Sequence, residues 1–208
     1  IGDKDDSRLE KLVVPEIVFA GAILVACALT ENGGSGGNGL PPSDFVRVLR
    51  HMLKGGEVPI KISSKSILHL VRALGFQNKI GGHVGGIHSD LSTNEIQKIK
   101  NSTLEDYGSD LYEKLRYWRI QLNTSTNEYD NENENTKVIR SNNDDPWSTT
   151  WLDIHACIGH YIATKTKEET LVRCTIASHH LYQGESWLHL TNLLTEIKSF
   201  DLIWTSGW

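Results

Sequence analysis

Ile17-Val18-Phe19-Ala20-Gly21-Ala22-Ile23-Leu24-Val25-Ala26-Cys27-Ala28-Leu29 is the most apolar stretch of the chain, and its reading decides the fold. A bilayer span needs about 20 consecutive apolar residues, so this run is too short to cross a membrane and suits a helix buried in a protein core. The preceding Gly2-Asp3-Lys4-Asp5-Asp6 is net acidic where an export signal has a basic flank, which argues against a leader. The expectation is therefore a first core helix over residues 8–29, interrupted or entered at Pro15 and closed by Asn32-Gly33-Gly34.

Composition agrees with a folded domain. A chain of 208 residues with 38% hydrophobic and 23% charged residues has enough apolar side chain to build a core. The net charge of -5 argues against a protein whose main work is wrapping nucleic acid. Three cysteines, Cys27, Cys157 and Cys174, are too few and odd in number for a disulfide framework and fit a reducing, cytoplasmic setting. A chain that begins at Ile1 and ends in an apolar run at Trp204 to Trp208 reads as a trimmed or processed piece.

Helical periodicity continues outward from the first helix. Residues 33–39 form a flexible Gly-rich linker, with no following Lys-Ser or Lys-Thr to make it a phosphate loop. Ser43 caps a helix whose Phe45, Val48, Leu49, Met52 and Leu53 share one face, and Ser64 opens another carrying Ile67, Leu70, Val71 and Leu74, stopped at Gly75. Val58 to Ile62 reads as extended, and Gly81 to His88 as a loop. Ser92-Thr93-Asn94-Glu95 is a capping box leading into Ile96 and Ile99. A further helix starts at Ser109 or Asp110 with Leu111, Leu115, Trp118 and Leu122 on one stripe.

Residues 123–146 turn to Asn and acidic side chains with almost nothing to bury, the composition of a mobile loop. Beyond it, three closely spaced helical patterns follow: Trp151, Ile154, Ile158 and Ile162; then Leu171, Cys174 and Leu181; then Trp187, Leu190, Leu194 and Ile197. Short connections imply antiparallel neighbours. The expected fold is all-α: residues 1–208 as a single domain, an antiparallel bundle of six or more helices with long Gly-rich and Asn-rich loops.

The only metal-like spacing is Cys157-x2-His160 followed by Cys174-x4-His179, with His180 adjacent. Zinc takes four such ligands in a tetrahedron, but the spacing departs from finger patterns and both cysteines lie in apolar helices, where a thiol is commonly a small core group. Plain packing is expected, with no metal and no cofactor. Neither G-x-S-x-G nor H-E-x-x-H occurs, and the acidic pairs sit in polar contexts, so no enzyme activity is expected. Lys114 to Arg119 mixes basic and aromatic residues, which an amphipathic helix with a solvated face explains.

The stretch from Leu91 to Arg119, Leu-Ser-Thr-Asn-Glu-Ile-Gln-Lys-Ile-Lys and then Leu-Tyr-Glu-Lys-Leu-Arg-Tyr-Trp-Arg, resembles the third and fourth helices of death domains, with Ile96, Ile99, Leu115 and Trp118 in the matching places. The resemblance implies a six-helix interaction module of the signalling-adaptor type, without an active site, that assembles with a protein partner or with itself. Glu113, Lys114 and Arg116 would then be exposed partner contacts and Trp118 a core residue. The alternative is a self-assembling helical coat or nucleoprotein of a virus-like source, the one reading in which nucleic acid would be a partner. No membrane partner is expected in either.

Overall fold

A helix with no polar face must be surrounded, and in the computed structural model, which describes residues 16–31, 39–53, 63–77, 82–125, 146–165, 171–196, 201 and 204–205, the apolar stretch is surrounded. It forms α1 (Glu16–Thr30), with Val18, Ala22, Leu24, Val25 and Ala26 fully enclosed. Around it stand α2 (Pro42–Leu53), α3 (Ser64–Ala73), α4 (Thr93–Ser125) and α5 (Pro146–Lys165), and α6 (Leu171–Gln183) and α7 (Trp187–Thr195) follow on the far side of α5. The protein is mostly helical, and no strand occurs among the described residues. None of the described helices is long and apolar enough to cross a membrane.

Local chemistry sets the ends. Pro42, not Ser43, begins α2: the Pro41 carbonyl accepts from the Asp44 and Phe45 amides at 2.9 Å each, and proline's fixed φ suits a first helical position. In α3 the cap is Ser63 rather than Ser64, its Oγ accepting from the Ser66 amide at 3.4 Å. Gly75, at φ 89°, closes α3 with paired bonds from its own amide to the Arg72 carbonyl and from the Phe76 amide to the Val71 carbonyl. The loop from Gly82 to Asp90 packs back on the core: Val84 exchanges two backbone bonds with Leu40, and residues 86–88 form one 3-10 turn. The extended reading of Val58 to Ile62 lies outside the described residues, as do 33–38 of the Gly-rich linker.

The capping box forms as expected, with the Ser92 amide donating to Glu95 at 2.8 Å and the Glu95 amide to Ser92 Oγ at 3.4 Å. The helix expected after the capping box and the further one expected from Ser109 or Asp110 are instead one, the 33 residues of α4, about 50 Å long. Gly108, just before the expected second start, is a crossing point. Thr150 Oγ1 donates to the Gly108 carbonyl at 3.1 Å, and a Cβ at Gly108 would stand 2.8 Å from Trp147 Cδ1. A lone helical glycine costs only about 1 kcal/mol, which the close approach of α5 offsets. Ile96, Leu104, Leu111, Leu115 and Trp118 form the buried stripe.

The loop expected over 123–146 is shortened at both ends, because α4 runs to Ser125 and α5 starts at Pro146; residues between them are not described. A further correction concerns α7. Trp187 and Leu194, expected in the core, are exposed, Leu190 is half-buried, and Leu193 turns inward instead. With apolar residues on more than one side of this helix, periodicity leaves its rotation undetermined.

Candidate functional site

Two glycines bring α5 and α6 together closely enough for their side chains to build a site. A Cβ on Gly159 would lie 2.7 Å from the Leu181 amide nitrogen, and one on Gly184 would lie 2.4 Å from that of Ala156. This close approach carries His155 of α5 against His179 and His180 of α6, with one ligating atom from each ring within 4.8 Å of the others. His155 Nδ1 and His180 Nδ1 are 2.9 Å apart. Ring centroids lie 5.0 Å apart for His155 and His180, 5.2 Å for His179 and His180, and 6.5 Å for His155 and His179. Trp151, one turn before His155, stands edge-on to it at 4.9 Å and holds the ring's orientation.

Burial governs the electrostatics. His155 and His180 are enclosed and His179 is half-buried. Desolvation, reinforced by the neighbouring imidazoles, pushes His155 down to about 3 and His180 well below the usual histidine range; desolvation lowers His179 as well. All three rings are therefore neutral near pH 7, the form in which imidazole donates a lone pair. Two neutral rings facing through Nδ1 are satisfied if one carries the proton and the other accepts it. His179 Nε2 is shielded from water and has no hydrogen-bond partner among the described residues.

Of the residues singled out from sequence, Cys157 and Cys174 are buried and not joined in a disulfide, and burial pushes the Cys157 thiol far up, as packing rather than chemistry requires. Cys157, His160, Cys174 and His179 do not converge as a ligand set among the described residues; of the four, only His179 joins the cluster. His160 belongs to a second group, stacked on His51 of α2 at 5.6 Å and edge-on to His189 of α7 at 5.0 Å. Trp118 Nε1 donates to His51 Nε2 at 3.3 Å, so the core residue of α4 also anchors that group. His180 was named only as adjacent to that set, and His155 was not placed in it. The available signal was that His155 shares a helical face with Trp151, Ile158 and Ile162, and His180 lies one turn from Ala177 on a buried face.

On the surface, Glu113 and Lys114 are exposed on α4 beside the buried Leu115, while the Arg116 side chain lies outside the description. The larger exposed feature is apolar. Tyr182 at the end of α6 meets Trp187 at the start of α7 edge-on at 5.5 Å, and Leu188 and Leu194 extend the exposed apolar surface along α7. Tyr182 and Trp187 are 58% and 50% exposed, unusual for neighbouring large aromatics. The nine residues of α7 include no Lys, Arg, Asp or Glu.

No family model, curated protein or solved structure matches this chain.

Proposed function

We propose that this chain is a protein-interaction module that associates with a second copy of itself through the corner of α6 and α7. In this reading the helices form the antiparallel bundle their short connections imply, in a reducing compartment that keeps the buried thiols reduced. The observation that supports it is the exposed Tyr182, Trp187, Leu188 and Leu194 on and beside a helix without a charged residue. Aromatic residues dominate binding energy at interface centres, where charged residues are depleted. A partner carrying strong charge would find nothing on α7 to pair with, whereas a two-fold contact sets the same uncharged patch against itself. Glu113 and Lys114 act in this scheme at a rim, where exposed charges select partners and contribute little affinity.

An adaptor role of the death-domain kind is one form of this proposal and rests on the local likeness over residues 91–119. Within that stretch α4 runs straight through the point where the likeness calls for two helices. The support therefore comes from the α6–α7 surface.

Sedimentation across a range of concentrations tests the reading, with the native chain compared against a Trp187→Ser, Leu188→Ser variant. The expected result is a concentration-dependent dimer in the native chain and a monomer of unchanged helicity in the variant. A native chain that stays monomeric throughout, or a variant that dimerises as well as the native chain, overturns it.

A further inference from the structure

We propose that His155, His179 and His180 form a transition-metal site, a three-imidazole centre for a zinc-like divalent cation that ties α5 to α6. The reading goes beyond the interaction surface and does not depend on it. Imidazole nitrogens bind zinc at about 2.0–2.1 Å, which places two ligands of one tetrahedral centre about 3.3 Å apart. The 2.9 Å between the His155 and His180 nitrogens and the 4.8 Å limit on the whole set bracket that spacing, so small ring rotations suffice.

Packing alone leaves this arrangement incomplete. A hydrogen bond between His155 and His180 uses one nitrogen of each ring and nothing of His179, whose Nε2 is withdrawn from water without a partner among the described residues. Burying a polar nitrogen without compensation is unfavourable, and a cation at the centre of the three rings would satisfy all of them at once. The rings are already neutral and have no proton to lose at the ligating atom once the tautomer is set. Imidazole donors favour zinc, copper, nickel and cobalt over magnesium and calcium, which prefer oxygen.

Three features define the site further. Among the described residues no fourth His, Cys, Asp or Glu joins the set, which leaves a coordination position for water or a small exogenous ligand. His179 is half-buried while its two companions are enclosed, so the approach from solvent is on the His179 side. Trp151 against His155 provides the outer contact that fixes a ligand ring's angle.

The test uses protein without a polyhistidine tag, stripped with a chelator and titrated separately with Co2+ and Zn2+. The expected results are one cobalt per chain with the visible absorption of a low-symmetry site, a rise in melting temperature with zinc, and metal-shifted ring nitrogens in histidine NMR spectra. His179→Gln, the substitution least disruptive to packing, should weaken binding by about 100-fold or more, beyond what the loss of a supporting outer contact costs. His155→Gln should do the same if it folds. A Cys157→Ala, His160→Gln variant and a His83→Gln, His88→Gln variant, the latter removing a half-buried pair stacked at 5.3 Å, should bind as the native chain does. Absence of stoichiometric binding, binding undiminished in His179→Gln, or binding lost with Cys157 and His160 instead would each overturn the assignment.

Discussion

The framework of α1 and α4 and the hairpin of α5 and α6 are both buried, but by different means. Around α1 the enclosed side chains are mostly apolar, with Thr30 Oγ1 donating to the Ala26 carbonyl at 2.6 Å, Cys27 donating weakly to the Ile96 carbonyl at 3.9 Å and the Glu31–Lys100 pair, 2.5 Å apart, at the edge. Lys100 in turn lies 4.5 Å over the Trp151 ring, linking this framework to α5. In the hairpin the enclosed groups include Thr150, Asp153, His155 and His180. A protein core needs no buried imidazoles for stability, and removing them from water is unfavourable unless they are paired. The first region is therefore packed mainly by apolar groups, and the second encloses the polar groups from which the proposed metal site is drawn.

The largest expected effect breaks the framework. Leu24 is fully enclosed in the middle of α1, so Leu24→Ala should destabilise by about 2–5 kcal/mol in chemical denaturation. The whole protein should unfold in one transition at lower denaturant. A second transition left unmoved, belonging to the hairpin, would show that the two regions are independent.

Next in size is a change confined to the hairpin. Gly159→Ala puts a methyl 2.7 Å from the Leu181 amide nitrogen, and this contact is with backbone, which cannot rotate away. Forcing α5 from α6 should destabilise by about 1–3 kcal/mol. It should also separate His155 from His180 and weaken cobalt binding at constant helicity. Native binding in a destabilised Gly159→Ala protein would mean that the glycine contact does not position the histidines.

A smaller effect is acid sensitivity. Burial holds His189 below the ordinary histidine value, so the unfolded chain takes up its proton at a higher pH than the folded one. The facing groups are His160, at 5.0 Å between ring centroids, and Ser186, whose Oγ lies 3.3 Å from His189 Nδ1; neither is an acid that would favour the imidazolium. Its contribution to stability is therefore full above the unfolded pKa near 6.5 and declines as pH falls toward the folded value. Melting temperatures between pH 7 and pH 5 should fall less steeply in His189→Gln than in the native chain. Equal slopes would remove His189 from the acid response.

The same contrast explains what could be read in the sequence. Helical class, the buried fate of Ile17 to Leu29, the capping box at Ser92 and the stripe through Leu111, Leu115 and Trp118 all follow from apolar spacing and cap chemistry, which act within a few residues. The continuity of α4 through Gly108 does not, because it depends on Trp147 and Thr150 of a distant helix. The histidine cluster was hidden for a related reason. Cys157, His160, Cys174 and His179 were chosen by spacing along single helices, while the actual grouping depends on which helical faces Gly159 and Gly184 bring into contact. Rotation decides between His155 and His160, and periodicity does not distinguish a histidine in an apolar stripe from an aliphatic residue there.

The smallest expected effect on stability concerns the charged face of α4. Lys114 is exposed beside buried Leu115, so Lys114→Glu removes no buried packing and should change stability by no more than ordinary surface substitutions do, about 0.5 kcal/mol. Its effect on association is a separate matter. If α4 lies at the rim of the interface formed by α6 and α7, reversing this charge should slow association at low salt and lose that effect as salt screens it, with dissociation little changed. Trp187→Ser should instead speed dissociation at every salt concentration, because the ring's contribution is apolar. Measuring both rates for both variants separates a charge that steers from an aromatic that holds. A Lys114→Glu protein whose association rate is independent of salt, and equal to that of the native chain, would place α4 outside the interface and leave the α6–α7 surface as the whole of it.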